Sequence, residues 1–467
     1  MQVRLLALAA AFVAATFAGC VQPDDNLPVG TPDATVSLLA GPALWNDPQN
    51  APHAKWGWAT LSNPPAGEMP RWWQPFNGTA LPEHVTGLAH VVQAPGVEQG
   101  AGIALFGSVA VVPDDAAKAY FVDISQPADP KVLGTLESSG RGAAIIAYPD
   151  GRLVAVSATT AGFDVMEFTD PTAPEMLSQV EVPTQGGHKL GVVPGTPIVY
   201  NAGSQGGDPI APLYSPGPCN IDISQCVGYT EIYNLTDPSN PVLVQNFQNG
   251  LSCHHVFFWN APDGSKSRAV CAGLQYTQLW DTADPEHPTV LVSLPVHHGT
   301  PGTPSAMVSI ADFSHSAGLN AAGDVLYVGD ESGGGAIPPG CVAGADTPVG
   351  ATGTPIGATW FYDVSDEANP QLLGYYTPLN DPRIKDPQTS CTTHHGRLVP
   401  EEGRDLLAMS YYGSGVILVD FTGIGAGTLP TSVAQFADGS NTWETWYAGG
   451  YLFTGDLSRG MDVLRLT

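Results

Sequence analysis

Basic residues are scarce in this chain: lysine and arginine number 16 of 467, against 44 aspartates and glutamates, for a formal net charge of −28. A nucleic-acid partner needs a cationic footprint to neutralise its phosphates, so that class is excluded, and the acidic excess reads as a solubility device. Charge of either sign is thin, at 13% of residues. The leading apolar run, Leu5 to Phe17, is too short to span a bilayer. A GxSxG elbow, an HExxH helix and a GKS/T loop are all missing. Their absence removes a hydrolase nucleophile turn, a zincin helix and a phosphate cradle. GIGAGT from Gly423 follows a strand, but Pro430 stands where a helix would have to run. It therefore reads as a hairpin turn and not as a dinucleotide site.

What is abundant is glycine (54), proline (43) and apolar residues (43%). That profile suits many short strands joined by tight turns, and it predicts an all-β fold. A phrase recurs along the chain: DISQPADPKVLG from Asp123, EFTDPTAPEMLS from Glu167, NLTDPSNPVLVQ from Asn234, DTADPEHPTVLV from Asp281 and DVSDEANPQLLG from Asp363. Each copy lies between two apolar strands, and degenerate copies follow Gly415 and Gly460. Seven units of about 40 to 50 residues with four short strands each predict a seven-bladed β-propeller. Within the phrase, the Asp or Asn side chain caps a turn and the prolines stiffen the hairpin to the outer edge strand. Its carboxylates are therefore read as turn-formers. The last unit stops after its third strand, so the propeller is expected to be closed by an N-terminal strand added to the last blade, supplied by 71–76 (RWWQPF).

The N-terminus reads as an export signal: one Arg, an apolar stretch, then small residues before Cys20. Residues 1–19 are assigned to a lipoprotein signal peptide, 20–69 to a tether and N-terminal extension, and 70–467 to the propeller. The FAGC ending resembles a bacterial lipobox, which implies lipid on Cys20 and a membrane-anchored protein at the cell surface or in the periplasm. Six cysteines remain, an even number for an exported chain. Cys219 and Cys226 share one loop, Cys253 and Cys271 fall on neighbouring strands, and Cys341 and Cys391 are left. Three disulfides on that pattern are the expectation. Trp45, Trp56, Trp58, Trp72 and Trp73 cluster before the first unit and are read as packing residues, with carbohydrate stacking as the sharper alternative.

The apolar strand followed by D-x-S-x-P-x-x-P resembles the LVIVD repeat of bacterial and archaeal cell-surface proteins, over roughly residues 84–467. The resemblance implies a surface-exposed β-propeller and says little about activity.

Aligned on the strand before each phrase, the units read RGAAI from Arg141, HKLGV from His188, HHVFF from His254, HSAGL from His315 and HHGRL from His394. Histidine holds one column in four consecutive blades, with His255 and His395 beside it. His84 is assigned to the column in unit one and Trp443 in unit seven. A ring of neutral imidazoles around a propeller axis suits Cu, Fe or Zn better than Ca or Mg. The expected ligands are His188, His254, His315 and His394, with His84, His255 and His395 as secondary candidates. Asp330, Glu331, Glu444 and Asp456 are candidates to orient the rings. The alternative is that these histidines line a polar channel and bond only water or carbonyls. Two long loops, 203–228 and 332–358, are expected on the histidine side, where His297, His298, Tyr411 and Tyr412 could wall a pocket.

Two functions follow. One is a Cu- or Fe-dependent oxidoreductase acting on a small molecule, with Glu331 or Tyr411 handling protons. Seven-bladed propellers such as the carotenoid-cleaving oxygenases use axial histidines in this way, which is an analogy of architecture. The other is a non-catalytic surface binding or adhesion module that recognises a glycan, peptide or protein.

Overall fold

The computed structural model describes residues 76, 78–115, 117–182, 186–203, 228–250, 253–261, 263–273, 276–295, 314–331, 357–378, 381 and 392–467. They form seven four-stranded antiparallel sheets arranged in a ring, a seven-bladed β-propeller. Blade one runs Ala104–Phe106, Val109–Pro113, Lys118–Asp123 and Lys131–Glu137 from the axis outward. The innermost strands of blades two to seven are Ala143–Ala147, Lys189–Val192, His255–Asn260, Ser314–Leu319, Gly396–Val399 and Thr442–Ala448.

Burial explains why the sequence reads as it does. Second strands such as Val109–Pro113 and Leu153–Thr159 are buried throughout, because each sheet is covered on both faces by its neighbours. Outer strands such as Lys131–Glu137 and Glu175–Glu181 alternate half-buried and exposed residues, as an edge requires. Aromatic pairs fill the blade boundaries: Phe121 with Phe168 at 5.5 Å, Phe163 with Tyr233 at 5.0 Å, Tyr200 with Phe258 at 5.1 Å and Phe361 with Phe421 at 4.8 Å. Such pairs contribute about 0.5–1.5 kcal/mol each beyond the area they bury.

The repeated phrase turns out to have two tasks. Its leading side chain caps the turn, as in Asp123 Oδ1 with the Ser125 amide (2.8 Å), Asn234 Oδ1 with Thr236 (2.8 Å) and Asp363 Oδ1 with Ser365 (2.9 Å). Its backbone and later side chains also clasp the preceding blade. Tyr148 of blade two donates to the Leu235 carbonyl, Tyr200 of blade three to Pro285 at 2.6 Å, and Arg268 of blade four forks onto Glu367.

Both ends of the described chain meet in blade seven. Leu88–Gln93 pairs antiparallel with Asp462–Leu466, Leu88 opposite Leu466, and forms the outermost strand. The edge position expected for 71–76 is therefore held by a segment a dozen residues later. Residues 71–75 lie outside the described residues, and Phe76 packs edge-on against Tyr451 and Phe453. The GIGAGT stretch is a short 3-10 turn, Ile424–Ala426, in the hairpin slot of blade six.

Candidate metal centre at the propeller hub

In blades three, four and six the start of the innermost strand fixes a histidine backbone by bonding it to the second strand of the same blade. His188 N reaches the Ala202 carbonyl at 2.9 Å, His254 N reaches Ala272 at 2.6 Å, and His394 N reaches Ser410 at 2.9 Å. His315 lies within its strand. Their rings form a contiguous string: His188 to His254 at 3.6 Å between centroids, His254 to His315 at 4.3 Å, His315 to His394 at 4.1 Å and to His395 at 4.7 Å, and His395 to His255 at 4.7 Å. The structure thus brings together all four expected ligands and two of the three secondary ones.

Within the string, donor atoms of His188, His254 and His315 lie within 4.8 Å of one another, and so do those of His315, His394 and His395. A first-row ion with bonds of about 2.0–2.1 Å holds its ligand nitrogens roughly 3–4 Å apart, so small side-chain rotations close either triad on an ion. The single four-histidine set expected from the column is divided, with His188 and His394 in different triads.

His84 does not join them. It precedes the outermost strand of blade seven, its side chain is 74% exposed, and Nδ1 meets Glu401 at 3.1 Å. Unit one presents Gly102 and Ile103 before its innermost strand instead. The misassignment arose because the first histidine-bearing strand by sequence belongs to the last blade in space. Tyr411 is also elsewhere: its hydroxyl bonds Thr359 at 2.7 Å, and its ring packs in the core beside Tyr376. Its neighbour Tyr412 faces the hub, 5.1 Å from the His394 ring. Of the proposed orienting carboxylates, Glu331 lies 3.4 Å from His315 Nε2. Asp330 Oδ2 accepts the Gly357 amide at 3.0 Å, and Asp456 caps Asn441 and Thr442. His297, His298, Cys219, Cys226, Cys341, Cys391 and most of both long loops lie outside the described residues. Cys253 and Cys271 are disulfide-bonded, one residue from His254.

Burial keeps the rings in the ligating form. Desolvation pulls His188 down to about 3, with Arg141 adding to the effect. Desolvation, then the neighbouring imidazoles and cations, holds His254, His255, His315 and His395 well below the ordinary histidine value. Desolvation does the same for His394. Neutral imidazole is the metal ligand. His394 Nδ1 donates to the Trp443 carbonyl at 2.6 Å, which leaves Nε2 as its lone-pair atom. Burial pushes Glu331 up to about 7 against the opposing bond from the Tyr412 hydroxyl, which donates to its Oε1. Tyr412 holds φ at 44°, the one non-glycine residue at positive φ among the described residues. That conformation costs a side-chain-bearing residue about 1–3 kcal/mol, offset here by the turn bond from Gly415 N to its carbonyl at 2.9 Å.

A second, ionic layer lies just beyond the rings: Lys189 and Arg397 follow hub histidines along their strands, and Glu444 stands on the innermost strand of blade seven. Lys189 bonds Glu444 Oε2, Arg397 Nη2 reaches Glu444 Oε1 at 3.2 Å, and the Trp446 indole and Ile103 amide complete the carboxylate at 3.0 and 3.2 Å. Burial opposes the Glu444 charge, but Lys189 and Arg397 hold its carboxyl below the usual range. Gly142 makes room for this: a Cβ there would meet Lys189 Cδ at 2.7 Å. The layer was missed from sequence, although a Lys and an Arg inside apolar strands of so base-poor a chain were a readable signal. At the far end of the strands, a cleft of about 640 Å³ between blades five and six is lined by Asn320, Asp324, Glu401, Arg404 and Asp405. Its charges are engaged locally, Arg404 with Glu401 and Asp420, and Asn320 with Asp405.

No family model matches the chain, and no curated protein matches it. Among solved structures it is similar to Sqt1 of Saccharomyces cerevisiae, at 12% identity and a TM-score of 0.47 over 79% of this chain and 82% of that one. It is similar also to YCF48 bound to D1 peptide, at 10% identity and a TM-score of 0.47 over 84% and 99%.

Proposed function

We propose that this chain is an exported, lipid-anchored binding module whose hub histidines hold a transition ion, Cu, Fe or Zn, as part of the scaffold. The face of the propeller at the histidine end of the hub then recognises a glycan, peptide or protein at the cell surface or in the periplasm. One observation carries the non-catalytic reading. His254, His255, His315, His394 and His395 are each no more than 6% exposed, and closed sites are structural whereas catalytic ones keep a position open to substrate. The resemblance to LVIVD repeats supports the surface location, and the sequence around Cys20 supports the anchor.

A second reading, a Cu- or Fe-dependent oxidoreductase, is favoured by the Glu331–Tyr412 pair beside His315. Protein exported from a bacterial host and purified without chelator separates the two. Bound transition metal with no oxygen uptake on thiols, phenols or polyenes is the expected result. Turnover that disappears in Tyr412→Phe would replace it with the oxidoreductase, and a metal-free preparation would reject the hub site. Cys20→Ala is expected to move the protein from the membrane to the soluble fraction; unchanged fractionation would reject the anchor.

A further inference from the structure

His315 belongs to both triads. Its ring has His254 and His188 at 4.3 and 6.0 Å, and His394 and His395 at 4.1 and 4.7 Å. A neutral imidazole carries a proton on one nitrogen and a lone pair on the other, so it serves one ion at a time. We propose that the hub binds a single transition ion that exchanges between two adjacent positions, His188–His254–His315 and His315–His394–His395, which compete for His315. This rests on the reading of the hub as a metal site and replaces its single four-histidine set.

Three observations support it. Two cations a few ångströms apart in a buried hub repel strongly, and the next layer, where Lys189 and Arg397 share the single Glu444 carboxylate, supplies no negative charge to offset a second ion. The two positions also differ in access: His188 is only half-buried, whereas His394 and His395 are each 3% exposed. The first triad is therefore the entry position and the second the retaining one. Finally, the second triad has a spare ligand, because neither ring nitrogen of His255 has a hydrogen-bond partner and its ring lies 4.7 Å from that of His395. An all-imidazole donor set of this kind suits Cu, Zn, Fe or Ni.

The test is titration of the full chain, stripped by chelation, with Cu(II) chloride, read by bound metal and electron paramagnetic resonance. Wild type is expected to bind one ion per chain with two superimposed signals. His188→Ala and His395→Ala are each expected to keep one ion and to lose a different signal, and the double variant to lose binding. His315→Ala and His315→Gln, checked for folding by circular dichroism, are expected to weaken binding more than either edge variant. Two ions with a magnetically coupled signal would overturn the inference in favour of a bridged pair. Loss of all binding in His188→Ala, or an unchanged signal in His395→Ala, would overturn it in favour of one fixed site. Each of these outcomes leaves the hub standing as a metal site, whereas wild type that takes up no ion removes both.

Discussion

The imidazole layer and the ionic layer are neighbours, with Lys189 next to His188 and Arg397 two residues beyond His395, yet they meet the cost of burial in opposite ways. Glu444 gathers four donors from Lys189, Arg397, Trp446 and Ile103, so the carboxylate at the centre of the ionic layer is satisfied within the protein. In the imidazole layer, both nitrogens of His255 and the Nδ1 atoms of His188 and His395 have no hydrogen-bond partner in the protein. A buried polar atom left so costs about 1–3 kcal/mol. A layer built only for stability would have spent its side chains as the ionic one does. The difference separates a structural brace from a set of imidazoles that the proposed ion would engage.

The largest effect that sharpens this contrast is pH. Each buried ring titrates below its unfolded value of about 6.5, His188 down to about 3 and His254, His255, His315, His394 and His395 lowered well below the ordinary value. Below pH 6.5 the unfolded chain therefore binds more protons than the folded one, and stability falls as pH falls. Each ring that stays neutral in the fold contributes a loss of up to about 1.4 kcal/mol per pH unit. Denaturant midpoints of the metal-stripped protein are expected to be flat above pH 7 and to drop steeply between pH 6.5 and 5. Histidine-to-alanine variants at the hub are expected to flatten the slope. A slope no steeper than that of an ordinary acidic protein would show that the rings protonate in the fold and that the two layers do not differ as argued.

Next in size is the ionic layer itself. Glu444→Gln leaves Lys189 and Arg397 buried, at 2% and 3% side-chain exposure, without their counter-charge. Removing one partner of a buried ion pair costs about 3–5 kcal/mol. Urea unfolding is expected to show that loss at pH 7, with added metal restoring little of it. Full rescue by metal would mean that the two layers act as one unit.

How much of this could be read beforehand differs by element. The repeated phrase carried the blade count because its turn chemistry is local: an Asp or Asn side chain bonds an amide two residues on, and a one-dimensional pattern suffices for that. The histidine column was legible for the same reason, since each of its members lies within two residues of the start of an innermost strand. His84 was misplaced because Leu88–Gln93 pairs with the far end of the chain, and non-local pairing leaves no mark on neighbouring residues. The division into two triads depends on ring directions across four blades. Tyr412, and not Tyr411, faces the hub, at a left-handed backbone angle that no residue type in the sequence announced. The Lys189–Glu444 pair joins residues 255 positions apart.

The smallest expected effect sets the scale for both hub layers. Asp363 sits in the phrase of blade five, where its Oδ1 takes the Ser365 amide at 2.9 Å and the Ser365 hydroxyl at 2.6 Å, both at the surface. Water can replace either bond, so Asp363→Ala is expected to cost only about 0.5–1.5 kcal/mol. Asp363→Asn is expected to cost less still, because an amide oxygen accepts the same amide proton. Blade three already carries that experiment, with Asn234 Oδ1 bonding the Thr236 amide and hydroxyl at 2.8 and 2.7 Å. If chemical denaturation instead gave Asp363→Asn a loss as large as that of Asp363→Ala, the charge of the phrase would matter beyond its turn. The carboxylates on this face would then have to be reconsidered as ligands in their own right.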